Sequence, residues 1–358
     1  MKTKQLVITA LALTVAFTSC NKDNPEPEQP ATPSASAYDN GVFITNEGPF
    51  GSGTGTISFY SRSNGALTND IFEAKNSYPL GNVVQSMSVH NGKGYIVVNN
   101  AGKVEVVDAG TFASGGVISG LNSPRYFLGI DNNKGYISEW GLSGAGSVKV
   151  VDLNSKTVTA TIATGKGAEG MVKVGNKVYV ACSGGFENDS VVTVIDATTN
   201  TVLSSIDVGP NPKSIQVDAN GKVWVLCSGR WNMSYTMLEQ PGSLVCINTT
   251  SDVIELTLSF ASMYSQPFNL VTNSAKTTLY YTYDGKVYSH AQSATALSTA
   301  AVINRNFYAV GVDPTNDYFY CTDAGNFSSN GKVLRYNATG MVVDSFTVGI
   351  IPGGLCFK

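Results

Sequence analysis

The chain has 358 residues, of which 42% are hydrophobic and only 14% charged, against about 25% charged in an average domain. Its 23 Lys and Arg against 26 Asp and Glu give a formal net charge of −3, which excludes the basic footprint that a nucleic-acid partner requires. The cysteines beyond Cys20 (Cys182, Cys227, Cys246, Cys321 and Cys356) are odd in number and lack CxxC spacing, so they define neither a disulfide framework nor a zinc site.

The first element is a targeting segment. "MKTKQLVITALALTVAFTSC" places Lys2 and Lys4 before an apolar run from Leu6 to Phe17 and small residues up to Cys20, which predicts a secretory signal over 1–19, too short to span a membrane. "FTSC" resembles a bacterial lipobox, in which Cys20 is lipidated and becomes the start of the mature chain. Acyl chains there contribute about 0.8 kcal/mol per buried CH₂, enough to anchor without further membrane contact. The Pro- and Glu-rich stretch over 20–38 has almost nothing to bury and reads as a disordered tether. Lys22 and Asp23, just after the cysteine, look like the short charged signal that sends lipoproteins of Bacteroidetes to the outer face of the outer membrane.

From Asp39 to Lys358 one phrase recurs: "GTISFYS", "GKVEVVD", "GSVKVVD", "SVVTVID", "GSLVCIN", "GKVYSHA" and "GKVLRYN". A partner run precedes each, such as "KGYIVVN" or "KVYVACS". Both alternate or run in Val, Ile and aromatics between Gly and Asn turns, as strands do, and no stretch after the signal has helical period or caps. With flanking runs each unit supplies four strands at a period of about 40 to 55 residues. The first unit lacks a strand that the terminal "GGLCFK" can supply. The fold class is therefore all-β: a seven-bladed β-propeller over 39–358, closed by the C-terminal strand joining the first blade.

Repetition separates scaffold from function. Asp108, Asp152 and Asp196 occupy one turn of successive blades, where a carboxylate hydrogen-bonds the backbone two residues on. Pro124, Pro212, Pro267 and Pro352 share one position at the start of the innermost strand, and Tyr95, Tyr136, Tyr179, Trp224 and Tyr280 form a packing row. The residues that do not repeat gather on one face. In a blade of strands a to d, the b–c loops and the d–a connections emerge together, and the b–c loops are enlarged in units one, three, four, five and seven. They put Phe50, Trp140, Phe186, Trp231 and Phe327 on the rim. Inside them, the position after the shared proline reads Gln85, Arg125, Glu169, Lys213, Phe268, Tyr308 and Gly353. A mixed polar ring within aromatics describes a concave ligand site. The longest loop, "CSGRWNMSYTMLEQPG", would supply Arg230, Trp231, Met233, Tyr235 and Met237 as its largest wall; the alternative is a small apolar cluster folded over the blade edge.

No catalytic residues are expected. Of the two histidines, His90 lies in an a–b turn on the opposite face and His290 inside a c strand, and no GxSxG, HExxH or calcium-loop motif is present. Propeller lyases and lactonases exist, and Glu169, Asp323 and several Asn leave a metal-dependent enzyme open; an exposed Trp and Arg at the rim leave a protein or glycan partner open.

The blade phrase "KVYVACSG…SVVTVIDATTNTVLSSIDVGPNPKSIQVDANGKVWV" resembles the bacterial YncE-like propellers. Together with "FTSCNKD" and the tether, the whole chain resembles the BtuG-type surface lipoproteins of Bacteroidetes. That resemblance implies binding of vitamin B12 (cobalamin) and related corrinoids at the cell surface, without a catalytic cofactor, and delivery to a BtuB-like TonB-dependent outer-membrane transporter. On this expectation Trp140, Phe186, Phe268, Tyr308, Phe327 and the fifth loop's Trp231 and Tyr235 contact the ligand, while Arg125, Lys213 and Arg230 meet its amides or phosphate.

Overall fold

In the computed structural model, which describes residues 36–358, the strands sort into seven four-stranded antiparallel sheets and one two-stranded hairpin. The expected propeller is observed. Blade 1 takes Gly41–Asn46, Thr56–Ser61 and Leu67–Thr68 from the start of the domain, and its innermost strand, Pro352–Phe357, from the end. Val42 pairs with Phe357 and Phe43 with Cys356, so the ring is closed by main-chain hydrogen bonds. Blades 2 to 7 follow in chain order, with inner strands beginning at Val84, Pro124, Ala168, Pro212, Phe268 and Val310.

Each sheet is covered on both faces by its neighbours, which is why middle strands such as Lys177–Cys182, after its first residue, and Val223–Cys227 read as apolar runs. Outer strands meet solvent on one side and alternate, as Val253–Ser259 does. The aromatic row bridges blades. Tyr136 donates its hydroxyl to Asn200 Oδ1 (2.6 Å) and Tyr179 to Asp252 Oδ1 (2.5 Å), each in the next blade, so large apolar area is buried while the polar tip is satisfied. Trp224 donates Nε1–H to Asp218 Oδ2 (2.9 Å), and Tyr280 packs edge-on against Phe319.

The repeated aspartates are turn-formers. Asp152 Oδ1 accepts from the amides of Asn154 (3.0 Å) and Ser155 (2.7 Å), and Asp108 and Asp196 do the same in their own blades. These backbone bonds favour the charged form and hold all three carboxyls below the usual range.

One expectation fails. A six-residue helix, Ile71–Asn76, connects blade 1 to blade 2, with Ile71 and Phe72 buried against Phe112. Six residues are less than two helical turns, and Asp70 at the cap makes no side-chain cap bond, so neither periodicity nor capping announced it. The signal over 1–19, Cys20 and most of the tether lie outside the described residues. The last of the tether, Ser36–Tyr38, is already docked: Ala37 N–H donates to Gly110 O (2.9 Å), and Tyr38 packs on Phe43, Phe59 and Phe112. Gly110 sits in a c–d turn, so the chain enters the domain on the face opposite the enlarged loops.

Candidate functional site

The inner strands open onto the loop-bearing face through a repeated irregularity. Register shifts occur at Val84/Ser86, Pro124/Tyr126, Ala168/Met171, Pro212/Ser214 and Phe268/Val271, and between Pro352 and Gly354 opposite Asn46 and Thr45. A bulge leaves one residue unpaired and turns its side chain away from the ladder. In four of the six strands that residue is Gln85, Arg125, Lys213 or Gly353, and in a fifth Glu169 lies within the shifted stretch. Five of the seven ring positions thus fall at bulges near the mouth of the central channel; in blade 6 Phe268 is itself paired with Thr282 and the shift falls one residue later, and Tyr308 precedes its strand without a bulge.

The ring is wired together on one side. Arg125 Nε lies 3.1 Å from Glu169 Oε2, its Nη1 donates to Gln85 Oε1 (2.5 Å), and its guanidinium stacks on Trp140, 4.4 Å from the ring centroid. Trp140 Nε1–H donates to Glu169 Oε1 (3.0 Å), and Phe186 meets Trp140 edge-on at 5.2 Å. Three blades are locked by one salt bridge, one cation–π contact and an indole N–H. Arg125 thus has its Nε and Nη1 engaged within the protein.

On the other side the contacts are looser. Tyr308 donates its hydroxyl to Glu47 Oε1 (2.9 Å) and packs edge-on against Phe327. Lys213 Nζ lies 5.7 Å from the centre of the Phe268 ring. Burial raises the Glu47 carboxyl above its ordinary pKa, against the Tyr308 hydrogen bond and the Arg125 charge, which lower it. Lys213 reaches solvent through the mouth yet is crowded by its walls, and that desolvation lowers its ammonium despite the Glu169 charge nearby. Burial and the Glu169 charge push Tyr126, just below the ring, up to about 12.

Three hollows adjoin the ring. The central channel, ≈ 490 Å³, is lined by Lys213, Gln216, Asn269, Thr272, Gly353 and other residues of six inner strands. Off the axis, ≈ 250 Å³ lies between Trp231, Tyr264, Gln266, Phe268, Asp284 and Asn306. A third, ≈ 180 Å³, lies beside Tyr308, Phe327, Asp323 and the same Asn306.

The fifth-blade segment forms a hairpin in which Arg230–Trp231 pairs with Leu238–Gln240. Leu238, wholly buried, pins it, and its N–H meets Met263 O at 2.6 Å. Of the wall residues expected there, Trp231 lines a hollow, Arg230 lies 3.2 Å from Glu239 of the same hairpin, and Tyr235 and Met233 stand exposed at the tip. The ring and rim therefore meet at Trp140, Phe186, Arg125, Lys213, Phe268, Trp231, Tyr308 and Phe327, but not at Arg230 or Tyr235. Glu47, Tyr264 and Asn306 were missed. Glu47 had one signal: it follows the b strand of the only blade whose ring position is glycine.

A seven-bladed propeller with a polar, aromatic-rimmed mouth is the class that this geometry defines. Residues 40–349 match the family described as Domain of unknown function (DUF5074), and the chain belongs to that family. No curated protein matches the sequence. Solved structures with a similar fold include a quinonprotein alcohol dehydrogenase-like protein from Bacteroides thetaiotaomicron (14% identity, 89% of this chain and 78% of that one, TM-score 0.65). Others are the periplasmic gluconolactonase PpgL of Pseudomonas aeruginosa (11%, 87% and 98%, TM-score 0.63) and Kuenenia stuttgartiensis hydrazine synthase (16%, 76% and 88%, TM-score 0.59). At these identities the likeness is one of fold.

Proposed function

We propose that the protein captures a bulky ligand at the mouth by shape and hydrogen bonding, without covalent chemistry, and that the ligand is a corrinoid such as vitamin B12. The observation that carries this reading is the mouth itself, a ring of Gln85, Arg125, Glu169, Lys213 and Tyr308 bordered by Trp140, Phe186, Trp231, Phe268 and Phe327. A corrinoid is broad, apolar across its ring and edged with amides, which suits an open polar bowl with aromatic walls. The resemblance to BtuG-type lipoproteins supports the same ligand. It also supports anchoring through Cys20 at the exterior of the outer membrane and delivery to a BtuB-like TonB-dependent transporter.

Two placements favour binding over catalysis. His90 meets Asp131 O (2.8 Å) on the far face, and His290 is buried against Trp224. Residues 37 and 38 dock at Gly110, on the face opposite the mouth. A second reading, a protein partner seated on this face, is favoured by apolar tips that stand clear of the mouth: Met233 is fully exposed and Phe50 is 83% exposed. A transporter lip would meet these first.

Calorimetric titration of the purified chain with cyanocobalamin tests the proposal. We expect one-to-one binding, weakened about tenfold or more in Trp231→Ala, with the ligand recovered unaltered. No heat and no shift in melting temperature would overturn the corrinoid reading.

A further inference from the structure

We propose that Glu47 and Lys213 are two charges kept out of salt bridges so as to receive one ligand: Lys213 takes an anionic group, and Glu47 accepts N–H bonds from an amide or amine. The inference rests on the mouth being the ligand site and names the chemistry it selects. The charged side chains at the ring itself are Glu47, Arg125, Glu169 and Lys213. Arg125 and Glu169 cancel one another at 3.1 Å. Glu47 and Lys213 have no oppositely charged group within 4.0 Å among the described residues. Glu47 accepts from the neutral hydroxyl of Tyr308, at 2.9 Å, and Lys213 Nζ lies 5.7 Å from the centre of the Phe268 ring.

The fold makes room for this arrangement. A Cβ on Gly353 would stand 2.4 Å from Glu47 Oε1, so glycine at that ring position leaves the carboxylate room for the place from which it meets Tyr308. Glu47 belongs to blade 1 and Lys213 to blade 5. Blades 6 and 7 separate them on one side and blades 2 to 4 on the other, so the two charges face each other across the opening. Charges without a contact counter-ion cost stability, and burial shifts both groups toward neutrality, opposed only in part by the Arg125 charge at Glu47 and the Glu169 charge at Lys213. Packing alone gives no reason to keep them apart, whereas a ligand carrying opposite features at two edges does. A phosphodiester on one side and primary amides on the other are such features.

Two kinds of readout test the proposal. Lys213→Met and Glu47→Gln should leave the melting temperature unchanged or raise it, because each removes an unpaired charge; a fall of several degrees in both would mark structural roles and overturn it. In titrations, Lys213→Met should weaken cyanocobalamin, which carries the phosphodiester, by about tenfold or more, and leave cobinamide, which lacks it, unchanged. Glu47→Ala should weaken both. Equal effects of Lys213→Met on the two, or none, would overturn the assignment. Should the unmodified protein take neither corrinoid, the corrinoid reading fails and inorganic phosphate judges Lys213. Saturable perturbation of an isotopically dimethylated Lys213 NMR signal would sustain the anion pole, and its absence would remove it.

Discussion

His290 is an imidazole 2% exposed, packed edge-on to Trp224 at 5.2 Å, and its surroundings make it an acid-sensitive point. Burial lowers its pKa, only partly offset by a backbone contact from Ala296. In the unfolded chain histidine titrates near about 6.5. Above that pH neither state carries the proton and the full stability is present. As pH falls below it the unfolded chain gains a proton that the folded one refuses, and stability declines until the depressed folded pKa is reached. The melting temperature should therefore drop more steeply between pH 6.5 and 5 in the unmodified protein than in His290→Leu; parallel curves would show that this imidazole is not the sensitive group. Single residues were legible in the sequence when they repeated. Asp108, Asp152 and Asp196 declared themselves as turn-formers by recurring, whereas Glu47 occurs once, and its role emerges only from Gly353, some 300 residues away in sequence and adjacent in space.

At the level of strands and loops, the blade phrases gave the architecture because four-stranded sheets covered on both faces need Val, Ile and aromatic runs at fixed spacing. Bulges leave no comparable trace: Pro124 and Pro212 mark where two of them fall, but Val84 and Ala168 hold the same position without proline. The Ile71–Asn76 helix was too short to be periodic, and the Arg230–Gln240 hairpin looked like one apolar wall although its tip turns Met233 and Tyr235 outward. The strands also explain the cysteines. All five described thiols are buried, four of them on middle strands and Cys356 on the inner strand of blade 1. Burial pushes Cys182 up to about 11 and Cys227, Cys246 and Cys356 up to about 12, leaving almost no thiolate at neutral pH. Iodoacetamide should leave these five unmodified in the native protein and label them after denaturation. Early labelling of Cys356 alone would reveal opening of blade 1.

Across the whole molecule, the join between blades 7 and 1 bears a buried polar fastening. Arg62 Nε meets Asp313 Oδ2 at 2.6 Å, with the carboxylate wholly buried and also bound by the Thr315 amide and hydroxyl. Arg335 stacks over Tyr60 at 4.6 Å, and Tyr60 stacks on Phe346 at the same separation. Removing one partner of a buried pair strands the other, so Asp313→Ala should cost about 3 to 5 kcal/mol in urea unfolding. Lys222→Ala, which breaks an exposed pair with Glu255, should leave the midpoint unmoved. Equal behaviour of the two would mean that the join does not limit stability.

The closing strand also sets an order of events in time. Blades 2 to 7 are each built from one continuous segment and can pair as soon as that segment is available, but blade 1 joins strands from both ends of the domain. Until residue 357 has been delivered, Val42 and Phe43 have no inner partner, the channel is open along one wall and the Glu47–Tyr308 bond across blades 1 and 7 has no fixed geometry. Closing so long a loop is slow compared with pairing neighbours. The mouth is therefore the last part of the molecule to take its final form: a partly made chain carries finished blades but no closed ring, so on the proposed reading it would hold no ligand before the ring is whole.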